Sequence, residues 1–441
     1  MARAWFGTDG IRGVANERLS PDLALRVGRA VALRLGGTPT ILIGRDTRRS
    51  GPMLEDALAA GIASAGGRAV RLGVLPTPAV AWAVLQHRAD AGVVISASHN
   101  PYPDNGIKVF GGDGFKLLDA DEEAIEALLD ADADLPTGAG VGTTDAVAGV
   151  ADAYADWVAA TAGIALDGMR VAVDCANGAA VTVAERLFAA LGADAELVAC
   201  EPDGANINVD CGSTHLDRIA EATVRGGAAL GIAFDGDADR VLLVDHTGAP
   251  VDGDQILAIL AADMRGRGAL PGDRVVVTSM ANLGAHHALR ALGCTLEVTD
   301  VGDRYVLEAM RRDGATLGGE QSGHVIALEH QTTGDGPLTA ALVLGALHRS
   351  GQTLAEAAAV VERFPQLLVN VRARREDLPA CAALWDAVAV EEAALGEEGR
   401  IVIRASGTEP LVRVMVEARD PAACDRIAGA LAAIVERELA V

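Results

Sequence analysis

A unit of strand, polar loop, helix, glycine and second strand occurs three times along this chain. The short apolar runs predict strands, and the longer stretches between them have the length and composition of helices. The glycine after each helix is a typical stop signal, because glycine readily adopts the left-handed backbone conformation found there. Strands that alternate with helices in this way indicate βαβ units and mostly parallel sheets. The predicted first strands are 40–44, 170–174 and 274–278, and the predicted second strands are 69–72, 196–199 and 295–298. Between them, helices are predicted at 53–65 in the first copy and 284–292 in the third, and a helix that ends at 191 is predicted in the second.

The C-terminal part of the chain has a different pattern. Strands are predicted at 367–372, 400–404 and 411–417, and a helix follows at 421–438. The sequence therefore predicts three similar α/β domains with mixed, mostly parallel sheets, followed by a smaller C-terminal α+β domain. The expected domain boundaries are 1–150, 151–250, 251–365 and 366–441.

Charge and cysteine content exclude several classes of protein. The 441 residues carry a formal net charge of −24 at pH 7, which argues against nucleic acid or an anionic membrane as a partner. The six cysteines lack a C-x-x-C spacing, so we expect no zinc or disulfide framework and a reducing, cytoplasmic environment. The polar, glycine-rich start does not resemble a signal peptide, and no apolar run approaches the ~18 residues of a membrane span.

A serine-rich loop follows the apolar run at 91–95, which predicts a buried strand. In an open α/β sheet, ligands bind at the carboxyl ends of the strands, where Ser96, Ser98 and His99 would lie. We expect an exposed serine at this position, suited to act as a nucleophile or to carry a phosphoryl group. Ser98 is the stronger candidate, and Ser96, nearer the strand, is interpreted as a supporting hydroxyl.

A cluster of acids follows the predicted strand at 230–234. Asp235, Asp237 and Asp239 occupy alternate positions, from which their carboxylates can converge on a hard cation such as Mg²⁺. The alternative is a solvated turn, but three acids within five residues need a counter-charge. An EF-hand is excluded, because Arg240 stands where that loop needs glycine and His246 where it needs glutamate.

Two further loops suit sugar and phosphate recognition. Residues 319–324 place Glu320, Ser322 and His324 among glycines, which fits hydroxyl binding and proton transfer but also an ordinary surface turn. Residues 404–410 combine a guanidinium with two hydroxyls around a glycine, and Arg413 follows. This arrangement predicts a phosphate-binding loop, although a tight hairpin with incidental hydroxyls is the alternative. Arg12, among glycines near the start, is a weaker candidate of the same kind.

Lysine is scarce in this chain. Only Lys108 and Lys116 are present, against 35 arginines. Lysine can release a proton under suitable conditions and arginine effectively cannot, so both positions are candidates for proton transfer. Lys108, ten residues after Ser98, is the better candidate, whereas Lys116 is as easily explained by chance.

Four of these loops together resemble one family. In chain order they read Ser-Ala-Ser-His-Asn-Pro, Asp-Gly-Asp-Ala-Asp-Arg, Gly-Glu-Gln-Ser-Gly-His and Arg-Ala-Ser-Gly-Thr-Glu-Pro. This set resembles the α-D-phosphohexomutases over essentially the whole chain. The glycine-rich start at 6–13 and Gln321 are similar to the bacterial branch that acts on glucosamine phosphates. Ala238 departs from the glycine common in the family, which we do not expect to abolish metal binding.

The resemblance implies four domains around a central cleft and a role for each loop. Ser98 would be the phosphorylated nucleophile, and its phosphate would hold one Mg²⁺ with Asp235, Asp237 and Asp239. The sugar hydroxyls would be bound by Glu320 and Ser322. The phosphate that is not transferred would be bound by Arg404, Ser406, Gly407, Thr408 and Arg413. The groups expected to move protons or contact the transferred phosphate are Lys108, His324, His99, Arg12 and Arg240.

The implied reaction interconverts glucosamine 6-phosphate and glucosamine 1-phosphate through a bound bisphosphate. It would feed UDP-N-acetylglucosamine and cell-wall synthesis, with glucosamine 1,6-bisphosphate or glucose 1,6-bisphosphate as the activator. The partner would be a small hexosamine phosphate, and the protein would be a monomer or a homodimer. Three alternatives stay open: a glucose or mannose phosphate mutase with relaxed selectivity, a phosphatase that transfers the group from Ser98 to water, and a sugar-phosphate-binding regulator without catalysis.

Overall fold

The computed structural model describes residues 5–7, 9–406 and 410–440. The chain forms two compact units, and the second unit includes a short segment that interrupts the sequence of the first. The first unit comprises Met1–Met280 and Leu292–Val360, and the second comprises Ala281–Ala291 and Val361–Val441. No helix in the described ranges is long and apolar enough to cross a membrane.

A mixed seven-stranded sheet opens the first unit, with strand order β1-β2-β6-β5-β3-β4-β7. Strands β5, β3, β4 and β7 run parallel to one another, whereas β6 runs antiparallel to both of its neighbours, β5 and β2. Helix α1 begins where Ser20 caps the backbone N–H of Leu23 and a proline takes the first turn. The strands are β1 (Phe6–Gly7), β2 (Gly10–Val14), β3 (Thr40–Arg45), β4 (Arg68–Val74), β5 (Ala91–Ile95), β6 (Asp104–Gly111) and β7 (Thr143–Ala146), and the helices are α1 (Pro21–Leu35), α2 (Gly51–Ser64), α3 (Thr77–His87) and α4 (Asp119–Leu128).

The second sheet has five strands in the order β12-β11-β10-β8-β9. Its central strand β10 is parallel to β8 and antiparallel to β11, and all five of its residues are buried. The elements are α5 (Val150–Ala162), β8 (Arg170–Asp174), α6 (Ala184–Ala190), β9 (Asp194–Val198), α7 (Asp217–Gly226), β10 (Leu230–Phe234), β11 (Val241–Asp245) and β12 (Pro250–Val251).

The third sheet has four strands in the order β14-β13-β15-β16 and is antiparallel only at β16. Helix α8 begins with a reciprocal cap between Asp252 and Gln255. The elements are α8 (Gly253–Gly266), β13 (Arg274–Thr278), α9 (Leu283–Ala291), β14 (Thr295–Thr299), α10 (Asp303–Asp313), β15 (Leu317–Gly319), β16 (Val325–Ala327), α11 (Gly336–Ser350) and α12 (Leu354–Ala358). The structure groups α9 with the second unit.

The second unit contains an antiparallel three-stranded sheet with strand order β17-β19-β18. Its core joins the sheet to two helices through apolar residues that include Val414, Val416 and Leu431. The elements are β17 (Gln366–Arg372), α13 (Ala382–Leu395), β18 (Gly399–Ala405), β19 (Leu411–Ala418) and α14 (Pro421–Glu438). Three mixed sheets with helices and one antiparallel C-terminal sheet confirm the predicted fold class.

The strand ends position the polar loops. The serine loop follows β5, the acidic loop follows β10, and the loop containing Glu320 follows β15. Each of these strands runs parallel to a neighbour in its own sheet, so its carboxyl end is the edge where ligands bind in such folds.

Candidate active site

Ser98 lies in a sharply turned loop directly after β5. Its φ is 53°, a left-handed conformation that costs a non-glycine residue roughly 1–3 kcal/mol. The Ser98 hydroxyl donates a hydrogen bond to Asp235 Oδ2 at 2.5 Å. His99 Nδ1 lies 3.3 Å from Ser98 Oγ. The expectation of an exposed serine was wrong: Ser98 has no exposed surface, because the acidic loop covers it.

Ser96 supports the backbone of Ser98. Its side-chain oxygen accepts a hydrogen bond from the Ser98 N–H at 2.9 Å and donates one to Asp46 Oδ2 at 2.6 Å. Because these two hydrogen bonds direct the Ser96 hydroxyl at Asp46 rather than at the acidic loop, its contacts fit a supporting hydroxyl. Burial, opposed by the nearby Arg48, raises the pKa of Asp46.

Three buried carboxylates converge beside Ser98. Asp235, Asp237 and Asp239 each offer an oxygen, and these oxygens lie within 4.8 Å of one another. Oδ1 of Asp237 and Oδ1 of Asp239 are buried and make no hydrogen bond with the described residues. Burial and the two neighbouring acids raise the pKa of Asp235 well above its usual value. Orphaned, mutually repelling oxygens fit a hard divalent cation, which prefers such ligands. Between them, Ala238 adopts a φ of 56°, a conformation easier for the family's glycine.

Lys108 contacts two of these acids and a third, Asp9. Its ammonium group is 3.0 Å from Asp237 Oδ2 and 3.2 Å from Asp239 Oδ2, and Asp9 Oδ2 is also 3.2 Å away. The side chain is only 2% exposed. Burial disfavours the charged amine, but the three carboxylates prevail and raise the pKa of Lys108 well above its usual value. The lysine therefore provides the counter-charge that the acidic loop needs.

Lys116 belongs to the same buried network, which its sequence position did not indicate. It donates to Asp9 Oδ1 at 2.7 Å and forms a short ion pair with Asp303 at the start of α10. His324 lies between two acids, with Nδ1 3.8 Å from Asp239 and Nε2 3.7 Å from Asp303. Burial opposes the charged imidazole, but these acids raise the pKa of His324. Both lysines of the chain thus belong to one cluster.

Two arginines that are predicted to contact the transferred phosphate line a cavity of about 560 Å³ in the first unit. Arg12, paired with Asp9, and Arg240 both face this cavity, as does Glu320. Glu320 Oε1 accepts a hydrogen bond from the backbone N–H of Gly302 at 3.1 Å. Burial, and then Arg240 and Arg12, lower the pKa of His99 to about 4, so this histidine is neutral near pH 7.

Ser322 is exposed, and it is not among the described residues that line this cavity. Its neighbour Gln321 is turned toward α8, where its amide lies 3.4 Å from Asp252 Oδ2. The structure therefore brings Glu320 and His324 to the cavity but leaves Ser322 at the surface.

The predicted phosphate loop lies in the second unit, between β18 and β19. Arg404 and Arg413 face each other across these strands, and partial burial together with Arg413 lowers the pKa of Arg404. Two guanidinium groups directly opposite each other repel, which an anion would relieve. Ser406 is buried, and Arg375 donates to its carbonyl oxygen at 2.5 Å. Gly407 and Thr408 lie outside the described residues.

Several site residues were missed from the sequence. Asp46 and Arg48 follow β3, which is parallel to β5, so the shared sheet edge was an available signal. Asn208 and Asp303 had no such signal, because neither directly follows a strand: Asn208 lies well inside the loop after β9, and Asp303 begins α10.

Family models match most of the chain in four consecutive segments. They describe α/β/α domains I, II and III of phosphoglucomutase/phosphomannomutase at residues 3–135, 147–248 and 252–364, and the C-terminal domain at 368–434. The chain belongs to the phosphoglucomutase/phosphomannomutase family. This membership confirms the resemblance to the phosphohexomutases that the four loops indicated.

Curated relatives in this family are similar over nearly their whole length. The chain is 53% identical to phosphoglucosamine mutase of Moorella thermoacetica, covering 94% of this chain and 95% of that protein. It is also 53% identical to phosphoglucosamine mutase of Saccharopolyspora erythraea, covering 98% of both chains. The Rubrobacter xylanophilus enzyme of the same name is 52% identical over 98% of this chain and 97% of its own.

Solved structures of the family share the architecture. A phosphoglucomutase/phosphomannomutase family protein from Burkholderia thailandensis superimposes with a TM-score of 0.83 at 27% identity, covering 98% of this chain and 97% of that one. Aspergillus fumigatus N-acetylphosphoglucosamine mutase, solved with GlcNAc-6P and magnesium, gives a TM-score of 0.68 at 20% identity, covering 98% and 95%. The latter likeness shows the fold alone.

Proposed function

We propose that this enzyme is a phosphoglucosamine mutase, which interconverts glucosamine 6-phosphate and glucosamine 1-phosphate. The observation that carries the proposal is the Ser98 hydroxyl, 2.5 Å from Asp235 in a buried group of three aspartates. A serine surrounded by acids is suited to carry a phosphoryl group beside a cation rather than to attack an acyl carbon. The relatives that share half of its residues over nearly full length are phosphoglucosamine mutases.

The reaction requires transfer in both directions from the same serine. Phospho-Ser98 loses its phosphoryl group when the P–O bond to serine breaks and a new bond forms to the free sugar hydroxyl. The resulting sugar bisphosphate reorients in the site, so that its other phosphate faces Ser98. Ser98 then accepts that second phosphoryl group. Such transfer depends on positioning and on charge neutralisation more than on covalent activation.

Asp235, Asp237 and Asp239 would hold one Mg²⁺ per chain together with the phosphate on Ser98. When bound, this ion supplies positive charge that neutralises the transferred phosphate. Lys108 would hold two of these carboxylates in place, since it contacts both Asp237 and Asp239.

Proton transfer accompanies each half-reaction, because the accepting sugar hydroxyl must lose its proton. The oxygen that leaves phosphorus, first that of Ser98, must gain a proton in turn. We assign these proton transfers to Lys108 and His324, with Lys108, whose raised pKa keeps it charged, as the proton donor. His99 and Arg12 would lie at the transferred phosphate. His324 Nε2 accepts a hydrogen bond from the Gly334 N–H at 3.2 Å, so in the neutral ring the proton lies on Nδ1, toward Asp239. Glu320 would bind the sugar hydroxyls, with Ser322 next to it in the loop.

The second phosphate of the sugar needs its own binding site. Arg404 and Arg413, which face each other on adjacent strands, would bind it together with Ser406, Gly407 and Thr408. Because either end of the sugar must occupy this site in turn, the contacts should recognise phosphate strictly and the sugar loosely.

The activator would be glucosamine 1,6-bisphosphate or glucose 1,6-bisphosphate, which restores phosphate to Ser98. A cytoplasmic location suits the six cysteines, all of which are free thiols. The enzyme would act as a monomer or a homodimer.

The decisive experiment compares kcat/KM for glucosamine, glucose and mannose 6-phosphates after loading with glucose 1,6-bisphosphate and Mg²⁺. We expect glucosamine 6-phosphate to be preferred, and a preference for mannose 6-phosphate would contradict the proposal. Inorganic phosphate is measured in the same reactions. Its release at the rate of turnover would indicate a phosphatase, and absence of both turnover and phospho-Ser98 would indicate a non-catalytic regulator.

A further inference from the structure

Arg48 is completely buried beneath the serine loop, and all five of its guanidinium N–H groups have partners. Nε donates to Asp46 Oδ2 at 2.8 Å. Nη1 donates to the carbonyl oxygens of Pro101 at 2.6 Å and Asp104 at 3.0 Å. Nη2 donates to the carbonyl oxygens of Ser98 and Asn100, both at 2.8 Å. A buried charge is tolerated when it is paired and fully hydrogen-bonded, as it is here.

These hydrogen bonds hold the serine loop around the side chain of Arg48. Four carbonyl groups between Ser98 and Asp104 point at the guanidinium, which is planar and rigid. A lysine offers three donors from one atom, so it cannot reproduce this fork. All five guanidinium N–H groups of Arg48 are used by protein oxygens, so none remains to bind a sugar phosphate.

Asn208 holds the same loop from the opposite side. Its Nδ2 donates to the Ser98 carbonyl oxygen at 2.9 Å and to the Asn100 carbonyl oxygen at 3.2 Å. Each of these two carbonyls therefore accepts a hydrogen bond from Arg48, next to β3, and one from Asn208, between β9 and α7.

The peptide N–H of Ser98 is fixed as well. It donates to Ser96 Oγ, which donates to Asp46, and Asp46 in turn pairs with Arg48. The network thus holds Ser98 at its N–H and at its carbonyl group, on either side of a left-handed φ of 53°. That conformation is disfavoured for serine, so it persists only when its surroundings impose it.

We propose that Arg48 is a positioning residue for phosphoryl transfer, acting with Asn208 to hold Ser98 in the left-handed conformation that directs its hydroxyl at Asp235. The inference deepens the proposed function and rests on the nucleophile role of Ser98. In this arrangement Ser98 would keep the same backbone conformation with and without its phosphate.

The test is the Arg48→Lys variant, loaded with glucose 1,6-bisphosphate and quantified for phospho-Ser98 by intact mass. Transfer to glucosamine 6-phosphate is then measured in a single turnover and expressed per phosphorylated site. Because a misplacement of about 1 Å can cost about 100-fold in rate, we expect a loss of that order in kcat, with KM little changed. Loading is the same transfer in reverse, so slow loading of a folded variant counts as the same loss.

The matched control is Arg45→Lys. Arg45, on the same strand end, pairs with Glu55 at 3.1 Å and contacts the Asp46 carbonyl rather than the serine loop. We expect its transfer rate per phosphorylated site to equal that of the unmodified enzyme. If Arg48→Lys does not fold, Asn208→Ala carries the test, with an expected loss of about 10-fold in kcat from one bridging donor.

A purely structural role gives a different result. Arg48→Lys would then lower the melting temperature, while the rate of loading of the folded protein and the transfer rate per phosphorylated site stayed those of the unmodified enzyme. That outcome, or an unchanged rate in a folded Asn208→Ala, overturns the inference. Failure of the proposed function is distinguishable, because then the unmodified enzyme itself shows no mutase turnover.

Discussion

At the scale of single residues, contacts distinguish the two serines and the two lysines of the site. Ser96 and Ser98 are equally buried, but only Ser98 directs its hydroxyl at the acidic loop. Lys108 and Lys116 both contact Asp9, yet only Lys108 also contacts Asp237 and Asp239. Which atoms a buried group can reach therefore distinguishes residues that look equivalent in sequence.

Ser98→Ala should remove nearly all mutase activity and leave the fold intact, because only one hydroxyl in a loop is lost. Intact mass after treatment with glucose 1,6-bisphosphate should show no added phosphate. Ser96→Ala is the matched variant: it removes the bond to the Ser98 N–H but keeps the nucleophile, so it should still be phosphorylated. If Ser98→Ala were still phosphorylated and kept substantial turnover, Ser96 rather than Ser98 would be the nucleophile.

Lys108→Arg should be severely impaired although it keeps the positive charge. The ammonium group fits among three carboxylates with 2% of the side chain exposed, and the larger guanidinium would displace them. The measurement is kcat with saturating Mg²⁺, beside Lys108→Met as the variant without charge. A near-normal rate for Lys108→Arg would show that charge alone suffices at this position.

At the scale of elements, a helix end and a pair of strands hold charged side chains in unfavourable surroundings. Asp335 caps α11 through the Leu338 N–H and also accepts from Tyr154 at 2.6 Å and Gln331 at 3.1 Å. Burial nevertheless raises the pKa of Asp335 to about 6. In the second unit, paired strands place two arginines opposite each other.

Asp335 should make stability depend on pH. Its pKa is raised by folding, so its contribution is fully present below about pH 4 and is lost as the pH rises through about 6, by roughly 3 kcal/mol. Asp335→Asn cannot titrate, so the melting temperature of the unmodified protein should fall relative to that of this variant between pH 4 and 7. Exposed Asp132→Asn is the control, and an equal pH trend in Asp335→Asn would contradict the assignment.

Arg413→Ala should lower kcat/KM by about 10- to 100-fold, the range expected for one charged hydrogen-bond donor to phosphate. The stability of the second unit should stay constant or rise by a few tenths of a kcal/mol, since a like charge opposite Arg404 is removed. Steady-state kinetics and thermal melts of the same preparation check both parts. Loss of stability in proportion to activity would instead indicate a structural role for Arg413.

At the scale of the whole molecule, folding withdraws every lysine amine from solvent. The side chains of Lys108 and Lys116 are 2% and 15% exposed, and both are held in ion pairs. Both lysines of the chain therefore lie in the buried cluster, and the other 35 strongly basic side chains are arginines.

Amine-reactive reagents should therefore modify neither lysine in the native protein. Peptide mapping after treatment with an acylating reagent should find Lys108 and Lys116 unmodified, and both modified once the chain is unfolded in guanidinium chloride. Rapid native modification of Lys116 would mean that its pairs with Asp9 and Asp303 do not persist in solution.

The sequence by itself determined the four-part architecture and the loops that carry the chemistry. Strand and helix periodicities are local, which is why strands such as Arg170–Asp174 and the helix Pro421–Glu438 have the predicted bounds. The alternation of strand and helix then restricts the topology, and a strand's carboxyl end indicates where a ligand binds.

Only the tertiary structure decided how the site is assembled. Lys116 meets Asp303 across 187 residues of sequence, and Asn208 meets Ser98 across 110. Polar residues in loops have no periodicity, so their partners follow from the packing of whole sheets rather than from the local pattern. The same packing buried Ser98 and imposed a backbone conformation that serine alone disfavours.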